Sequence, residues 1–357
     1  MSKAAELAAL IGSQTALSNR NLIINGAMTI DQRNSGSSVT PSNSYTLDRF
    51  STNTSQASKF TVQQDTTAPV NFVNSLKVTS SSAYSVGSGD VFTVYQNIEG
   101  QNISQLNWGS ANAKTVTLSF KVRSSLTGTF GGAIVNSAQD RSHPFTYTIS
   151  TANTWTDVSI TVTGDTSGTW LTTNGIGLRI RFSLGSGSTY IGTAGAWAGA
   201  NYFSATGETS VVGTNGATWY ITGVQLEVGE QATPFEHRSF GDELLRCQRY
   251  YRQWASADST NGYTRVGLGP ANSGTAALAQ IFLDPHMRAK PTQTVTGQMQ
   301  SYNGSAISDC DAAVDTATTN YFVMVSQTNI SGFATGQAVE FICKNTGTNV
   351  YALSAEL

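Results

Sequence analysis

From Asn21 to about Arg238 the sequence alternates between apolar and polar residues one position at a time, and Gly, Asn and Ser break the alternation into short runs. Val116-Thr-Leu118-Ser-Phe120-Lys-Val122 and Val158-Ser-Ile160-Thr-Val162 are the clearest, with Phe60-Thr-Val62, Val91-Phe-Thr-Val-Tyr95, Gly177-Leu-Arg-Ile-Arg-Phe182 and Trp219-Tyr-Ile221-Thr-Gly-Val224-Gln-Leu226. A period of two puts successive side chains on opposite faces of a strand, so each run has one face for a core and one for solvent. No helical pattern separates the runs. Parallel strands would need crossover segments, usually helices, so the spacing predicts an antiparallel β-sandwich over residues 21–238.

Composition agrees. Lys and Arg number 20 against 22 Asp and Glu, a net charge of −2, and only 12% of the 357 residues are charged. That is about half the usual charged share, and a chain poor in Glu and Lys but rich in Thr and aromatics has little material for helices. The balance supports neither a nucleic-acid partner nor an acidic solvating tail. No apolar run approaches the roughly 18 residues of a membrane span, so no membrane insertion is expected.

Two segments break the β pattern. Residues 1–20 form an arm in which Ala4, Leu7, Ile11 and Gln14 recur at helical spacing, a narrow seam that needs a partner because about four turns do not hold alone. The arm has no adequate apolar region for a secretory signal. Residues 239–255 read as an amphipathic linker helix with Asp242 as N-cap and Leu244, Cys247, Tyr251 and Trp254 on one stripe. Together with Leu7 and Ile11 these are the expected oligomer contacts. Beyond Ala255, six short strand patterns predict a second, smaller β-sandwich over residues 256–357.

The chemistry-bearing residues form no recognisable constellation. His143, His237 and His286 have no second metal ligand at i+3 or i+4, and Cys247, Cys310 and Cys343 have no paired spacing. No catalytic or phosphate-binding motif is present. The expectation is therefore no catalytic residue, no metal and no cofactor. Trp155, Trp170 and Trp219 sit in strand patterns and read as core. The long Gly-, Ala- and Ser-rich connection from Ser183 to Ala217 offers Tyr190, Trp197 and Tyr202 as ligand contacts, because loops of that length in compact domains are commonly functional or packed on a neighbour.

Asn21-Leu-Ile-Ile-Asn-Gly-Ala-Met-Thr-Ile-Asp-Gln-Arg33 with Tyr45-Thr-Leu-Asp-Arg-Phe50 resembles the opening of a jelly-roll domain found in bacteriophage tail fibres and related virion appendages. Trp219-Tyr-Ile-Thr-Gly-Val-Gln-Leu-Glu-Val-Gly229 with Pro234-Phe-Glu-His-Arg238 resembles its close, Leu244-Leu-Arg-Cys-Gln-Arg-Tyr-Tyr251 the helix that follows, and Met287-Arg-Ala-Lys-Pro-Thr292 a strand entry in the C-terminal module. The resemblance implies a virion protein assembled in the host cytoplasm, a homotrimer, attached to tail or capsid through residues 1–20. Its distal module, residues 256–357, would meet a host surface glycan or protein. A capsid decoration protein or head fibre uses the same parts, and a polysaccharide-degrading tailspike is the enzymatic alternative. The jelly roll is also similar to carbohydrate-binding modules that hold calcium near the last strand, where this chain has Thr222 and Gly223 in place of an acidic pair.

Overall fold

The computed structural model describes residues 19–258, 263–345 and 348–357. Leu7 and Ile11, and with them the seam of the arm, lie outside the described residues. The chain divides into two compact units between Glu243 and Leu244, with Leu357 grouped with the first.

In chain order the first unit contains β1 (Tyr45–Leu47), β2 (Phe50–Thr54), β3 (Phe60–Asp65), β4 (Ser75–Ser80), β5 (Val91–Glu99), β6 (Val116–Ser124) and β7 (Gly128–Asn136). It continues with β8 (Ser142–Ile149), β9 (Thr156–Val162), β10 (Ile176–Ser186), β11 (Ile191–Gly192), β12 (Ser204–Ala205) and β13 (Thr218–Val228). Two main sheets result, in the orders β1-β2-β5-β10-β7-β8 and β3-β4-β13-β6-β9, and β11 and β12 form a separate parallel pair. The chain passes repeatedly from one sheet to the other, as the jelly-roll expectation requires.

The alternation seen in the sequence is the packing pattern. On β6, Val116, Leu118, Phe120 and Val122 are buried between the sheets, while Ser119, Lys121 and Arg123 face away. Trp219 is fully buried, its indole N–H donating to the Tyr147 hydroxyl at 3.1 Å. Phe120 meets Tyr147 and Phe182 edge-on at 5.1 and 5.2 Å, contacts each adding about 0.5–1.5 kcal/mol beyond area burial. Burial raises the Tyr147 hydroxyl's pKa, so it stays a neutral partner for Trp219.

The two other tryptophans expected in the core divide. Trp170 is buried, although outside a strand, but Trp155 is only half-buried, immediately before β9. It falls on the outward face because the β6–β9 register sets Val122 opposite Thr156.

The ends of this unit are joined by a charged clasp. The Glu236 carboxylate accepts from the backbone N–H groups of Asn19 (2.8 Å) and Asn21 (2.7 Å). Arg238 donates to the carbonyls of Asn21 and Ile23 and lies 3.6 Å from Glu236 and 3.4 Å from Glu243. Glu243 in turn accepts from the Asn25 N–H. Asn25 bridges the carbonyls of Ile30 and Asp48 through its Nδ2.

At the start of the second unit the helix departs from the expectation. The helix, α1, spans Phe240–Gln248 and stops six residues before Trp254. Ser239 caps it: its hydroxyl accepts from the Asp242 N–H at 3.2 Å and donates to the Asp242 carboxylate at 2.6 Å, which makes Asp242 the reciprocal partner and not the cap. Tyr251 and Trp254 lie instead on β14 (Tyr251–Ala255). That strand pairs along its whole length with the last strand of the unit, Tyr251 opposite Ser354 and Ala255 opposite Val350. The aromatic composition Tyr-Tyr-Arg-Gln-Trp suits a strand, and this long-range pairing overrides a stripe that also fits helical spacing.

Then follow β15 (Arg265–Ser273), β16 (Ala276–Phe282), β17 (Thr292–Thr296), β18 (Met299–Tyr302), β19 (Ile307–Val314), β20 (Phe322–Thr328), β21 (Ala338–Cys343) and β22 (Val350–Ser354). Six of them close into a barrel, β15-β16-β20-β19-β18-β21, beside a three-stranded sheet β14-β22-β17. The smaller β unit expected after the helix is present, and its main sheet closes because β15 pairs with both β16 and β21, with register shifts on each side. Gly269 permits the approach: a Cβ there would stand 1.7 Å from the Leu278 carbonyl oxygen. Closure leaves those strands no open edge.

The clasp gives a stability prediction. Arg238 is 7% exposed at its side chain, with Glu236 at 14% and Glu243 at 10%. Arg238→Ala leaves two nearly buried carboxylates uncompensated and is expected to cost about 3–5 kcal/mol. Lys121→Ala, which removes an exposed pair, should cost about 0–1 kcal/mol. Urea unfolding of both variants checks the contrast, and equal midpoints would show that the clasp carries no stability.

Candidate functional site

The outward face of the five-stranded sheet holds a groove of about 300 Å³. Its floor comes from two neighbouring strands: Ser119 and Lys121 on β6 stand opposite Ser159 and Asp157 on β9. Lys121 Nζ and the Asp157 carboxylate are 2.5 Å apart across the floor, with Asp157 mostly exposed. The walls are two phenylalanines from separate loops, Phe72 and Phe235. Their rings meet edge-on at 5.1 Å, and the His237 ring packs against both, at 5.2 and 4.9 Å.

Each wall residue is positioned by its neighbours. Phe72 lies in the connection between β3 and β4, where its N–H donates to the Pro69 carbonyl and Asn71 takes a left-handed conformation. Its ring packs over Gly223 at the irregularity in β13, where the register with β6 shifts between Thr222 and Gln225. Gly223 has φ +63°, and a Cβ there would come 2.8 Å from the Phe72 ring. Glycine is needed at that position for both its backbone angle and the ring above it.

Phe235 follows β13 and is fixed from both sides. The buried Glu227 carboxylate accepts from the Thr233 N–H at 2.8 Å and from the Thr233 hydroxyl at 2.6 Å. Three residues later the Glu236 N–H donates to the Gln225 side-chain oxygen at 2.8 Å. The groove wall is thus an extension of the clasp. Chemically, the site joins an apolar wall without polar atoms to a floor of two hydroxyls, an ammonium and a carboxylate. Such a combination fits a flat ligand with C–H faces and hydroxyl edges.

The residues expected from sequence lie elsewhere, and each is engaged. Trp197 packs edge-on against Trp108 (5.3 Å), Trp170 (5.4 Å) and His143 (5.1 Å), and its indole donates to the Thr163 carbonyl. Burial lowers the His143 pKa, which keeps the imidazole neutral in this cluster. Tyr190 packs on Phe203, and Tyr202 covers Gly192, where a Cβ would come 2.4 Å from its ring. The long connection covers the outward side of the six-stranded sheet. Phe203 lies 3.8 Å over the Arg181 guanidinium, which donates to Asn201 and Gln139. Desolvation, then the nearby Arg179, pushes the Arg181 pKa down to about 9.

Of the expected oligomer contacts, Cys247 and Tyr251 are buried within the single chain, and burial of Cys247 is complete. Leu244 and Trp254 are half-buried, and Leu245, which the sequence pattern did not single out, is 48% exposed. Thr222 is fully buried in β13. Among the described residues, no group of three or more His, Cys, Asp or Glu side chains comes together in a metal-holding arrangement.

No protein-family model matches the chain, and no curated protein matches it. Solved structures similar to parts of it include the enzymatically active domain of tailspike protein 4 of bacteriophage CBA120, at 12% identity and a TM-score of 0.33. That match covers 59% of this chain and only 22% of the tailspike chain. A putative sugar-binding protein from Bacteroides thetaiotaomicron is similar at 14% identity and TM-score 0.34, over 58% of this chain and 100% of the other. A family 11 carbohydrate-binding module from Clostridium thermocellum, in complex with a mixed-linked β-1,3-1,4 tetrasaccharide, is similar at 9% identity and TM-score 0.28, over 55% and 98%. At scores this low these likenesses enter no step of the functional reading.

Gly223→Ala tests how the wall is built. The left-handed φ alone should cost about 1–2 kcal/mol in urea unfolding, and the new methyl should displace the Phe72 ring. A crystal structure of the variant with Phe72 unmoved would refute the proposed dependence of the wall on Gly223.

Proposed function

We propose that this protein is a glycan-binding structural protein of a bacteriophage particle and that the groove on the five-stranded sheet is its ligand site. The carrying observation is the pairing of Phe72 and Phe235 with the Ser119, Lys121, Asp157 and Ser159 floor. A sugar ring has an apolar C–H face that stacks on an aromatic wall and hydroxyls that bond to just such a floor. Hydroxyl-rich ligands are held by short-range hydrogen bonds and stacking, in keeping with a chain of net charge −2.

The reading is binding without hydrolysis. Glycoside cleavage uses two carboxylates flanking the bond. Among the described residues lining the groove, Asp157 is the one carboxylate, and it is paired with Lys121. Placement on a virion, trimeric assembly and attachment through residues 1–20 rest on the resemblance of the opening and closing segments, and they complete the proposal: a tail fibre, with a capsid fibre as the alternative.

Phe235→Ala is expected to weaken glycan binding by at least about tenfold, the loss of one well-packed aromatic contact, while leaving the unfolding midpoint nearly unchanged. A glycan array followed by titration calorimetry checks this, and wild-type binding undisturbed by the variant would move the site elsewhere. Incubation with host capsule or lipopolysaccharide should release no new reducing ends. Light scattering should give three copies per particle of purified protein, and a stable monomer would remove the trimer from the proposal.

A further inference from the structure

The face that carries the groove continues along the strands. One row from Lys121, the residues Gln63, Lys77, Tyr220 and Arg123 stand directly opposite one another across β3, β4, β13 and β6. Trp155, just before β9, extends the row, since Val122 is opposite Thr156. Same-face rows on a strand are about 7 Å apart, so this row is the immediate neighbour of the groove floor.

The row is organised around Tyr220, which is 6% exposed. The Arg123 guanidinium lies 4.9 Å from its ring centroid, Lys77 Nζ lies 5.6 Å away, and the Trp155 ring packs edge-on at 6.3 Å. Tyr220 is too covered to stack on a ligand; it orients the cations above it. Trp155, half-buried, offers the exposed aromatic surface.

The charges on the two rows do not cancel. Lys77 is paired with Asp65 at 3.2 Å, and Lys121 with Asp157 at 2.5 Å. Arg123 donates through Nε to the Asn153 carbonyl at 2.8 Å, and among the described residues no carboxylate forms an ion pair with it. Three cations therefore face two anions, and the unmatched one is a guanidinium fixed over an aromatic ring, the geometry suited to gripping a carboxylate with two parallel N–H bonds.

We propose that this row is a second subsite of the groove and that it takes the carboxylate of an acidic sugar, which makes the ligand an anionic polysaccharide. Arg123 clamps the carboxylate, and Trp155 supplies an apolar wall to the same residue. The inference rests on the glycan reading of the groove and adds the charge class of the ligand.

The test uses the full chain and its Arg123→Gln and Phe235→Ala variants, each first shown by circular dichroism and thermal melting to be folded. Titration calorimetry measures alginate, polygalacturonate, hyaluronan and polysialate, each beside its carboxyl-reduced form. At least one acidic polymer should bind about tenfold more tightly than its reduced form. That preference should shrink with salt and vanish in Arg123→Gln, whereas Phe235→Ala weakens both forms alike. Equal binding of acidic and reduced forms by the wild type, or a preference that Arg123→Gln retains, overturns the acidic-ligand inference and leaves the groove reading standing. Binding of none of these polymers also overturns the acidic-ligand inference, and the glycan array then decides whether the groove reading stands.

Discussion

The clasp of Glu236, Arg238 and Glu243 on the segment Asn19–Asn25 is the interaction on which the first unit depends. A sandwich of short strands is held by many weak cross-strand contacts, and its ends are where these run out. Here the entering segment has no strand of its own over those residues. The backbone N–H groups of Asn19 and Asn21 and the carbonyls of Asn21 and Ile23 are satisfied by charged side chains from the segment that leaves β13. Charge-assisted bonds of this kind are stronger than neutral ones, and partial burial protects them from water.

The same segment builds the groove. Between Thr233, bonded to the buried Glu227, and Glu236, bonded to Gln225 and to the entering chain, the backbone has no freedom to move Phe235 away from Phe72. The groove wall is therefore tied to the closure of the sandwich. A binding site placed on such a support loses little conformational entropy on binding. The bulge at Gly223 completes it by lowering the sheet surface under the second ring.

Much of the fold was legible in the sequence. The strand runs around Val62, Val94, Phe120, Ile160, Phe182 and Ile221 all form strands with the expected residues inward. Two of the segments that resemble a phage appendage domain, Asn21 to Arg33 and Pro234 to Arg238, contribute residues to the clasp. The helix after Arg238 was legible only in part. Tyr251 and Trp254 fit both a helical stripe and a strand, and only pairing with β22, about a hundred residues later, decides between them. That Tyr190, Trp197 and Tyr202 pack on Phe203, Trp108 and Gly192 was not legible, because composition shows that a loop is long, not what lies beneath it. Phe72 and Phe235 gave no periodic signal, since each stands alone in an irregular segment.

By itself the sequence determined the period of the strands, which residues face inward, the low charge and the identity of the closing segments. All of these are local properties, fixed by side-chain alternation and by the turn residues between runs. The tertiary structure decided which outward residues become neighbours: Lys121 with Asp157, Arg123 with Tyr220, Phe72 with Phe235, and six strands of the second unit with one another in a barrel. Register and closure depend on contacts between residues far apart in the chain, and no local pattern encodes which pairs will meet.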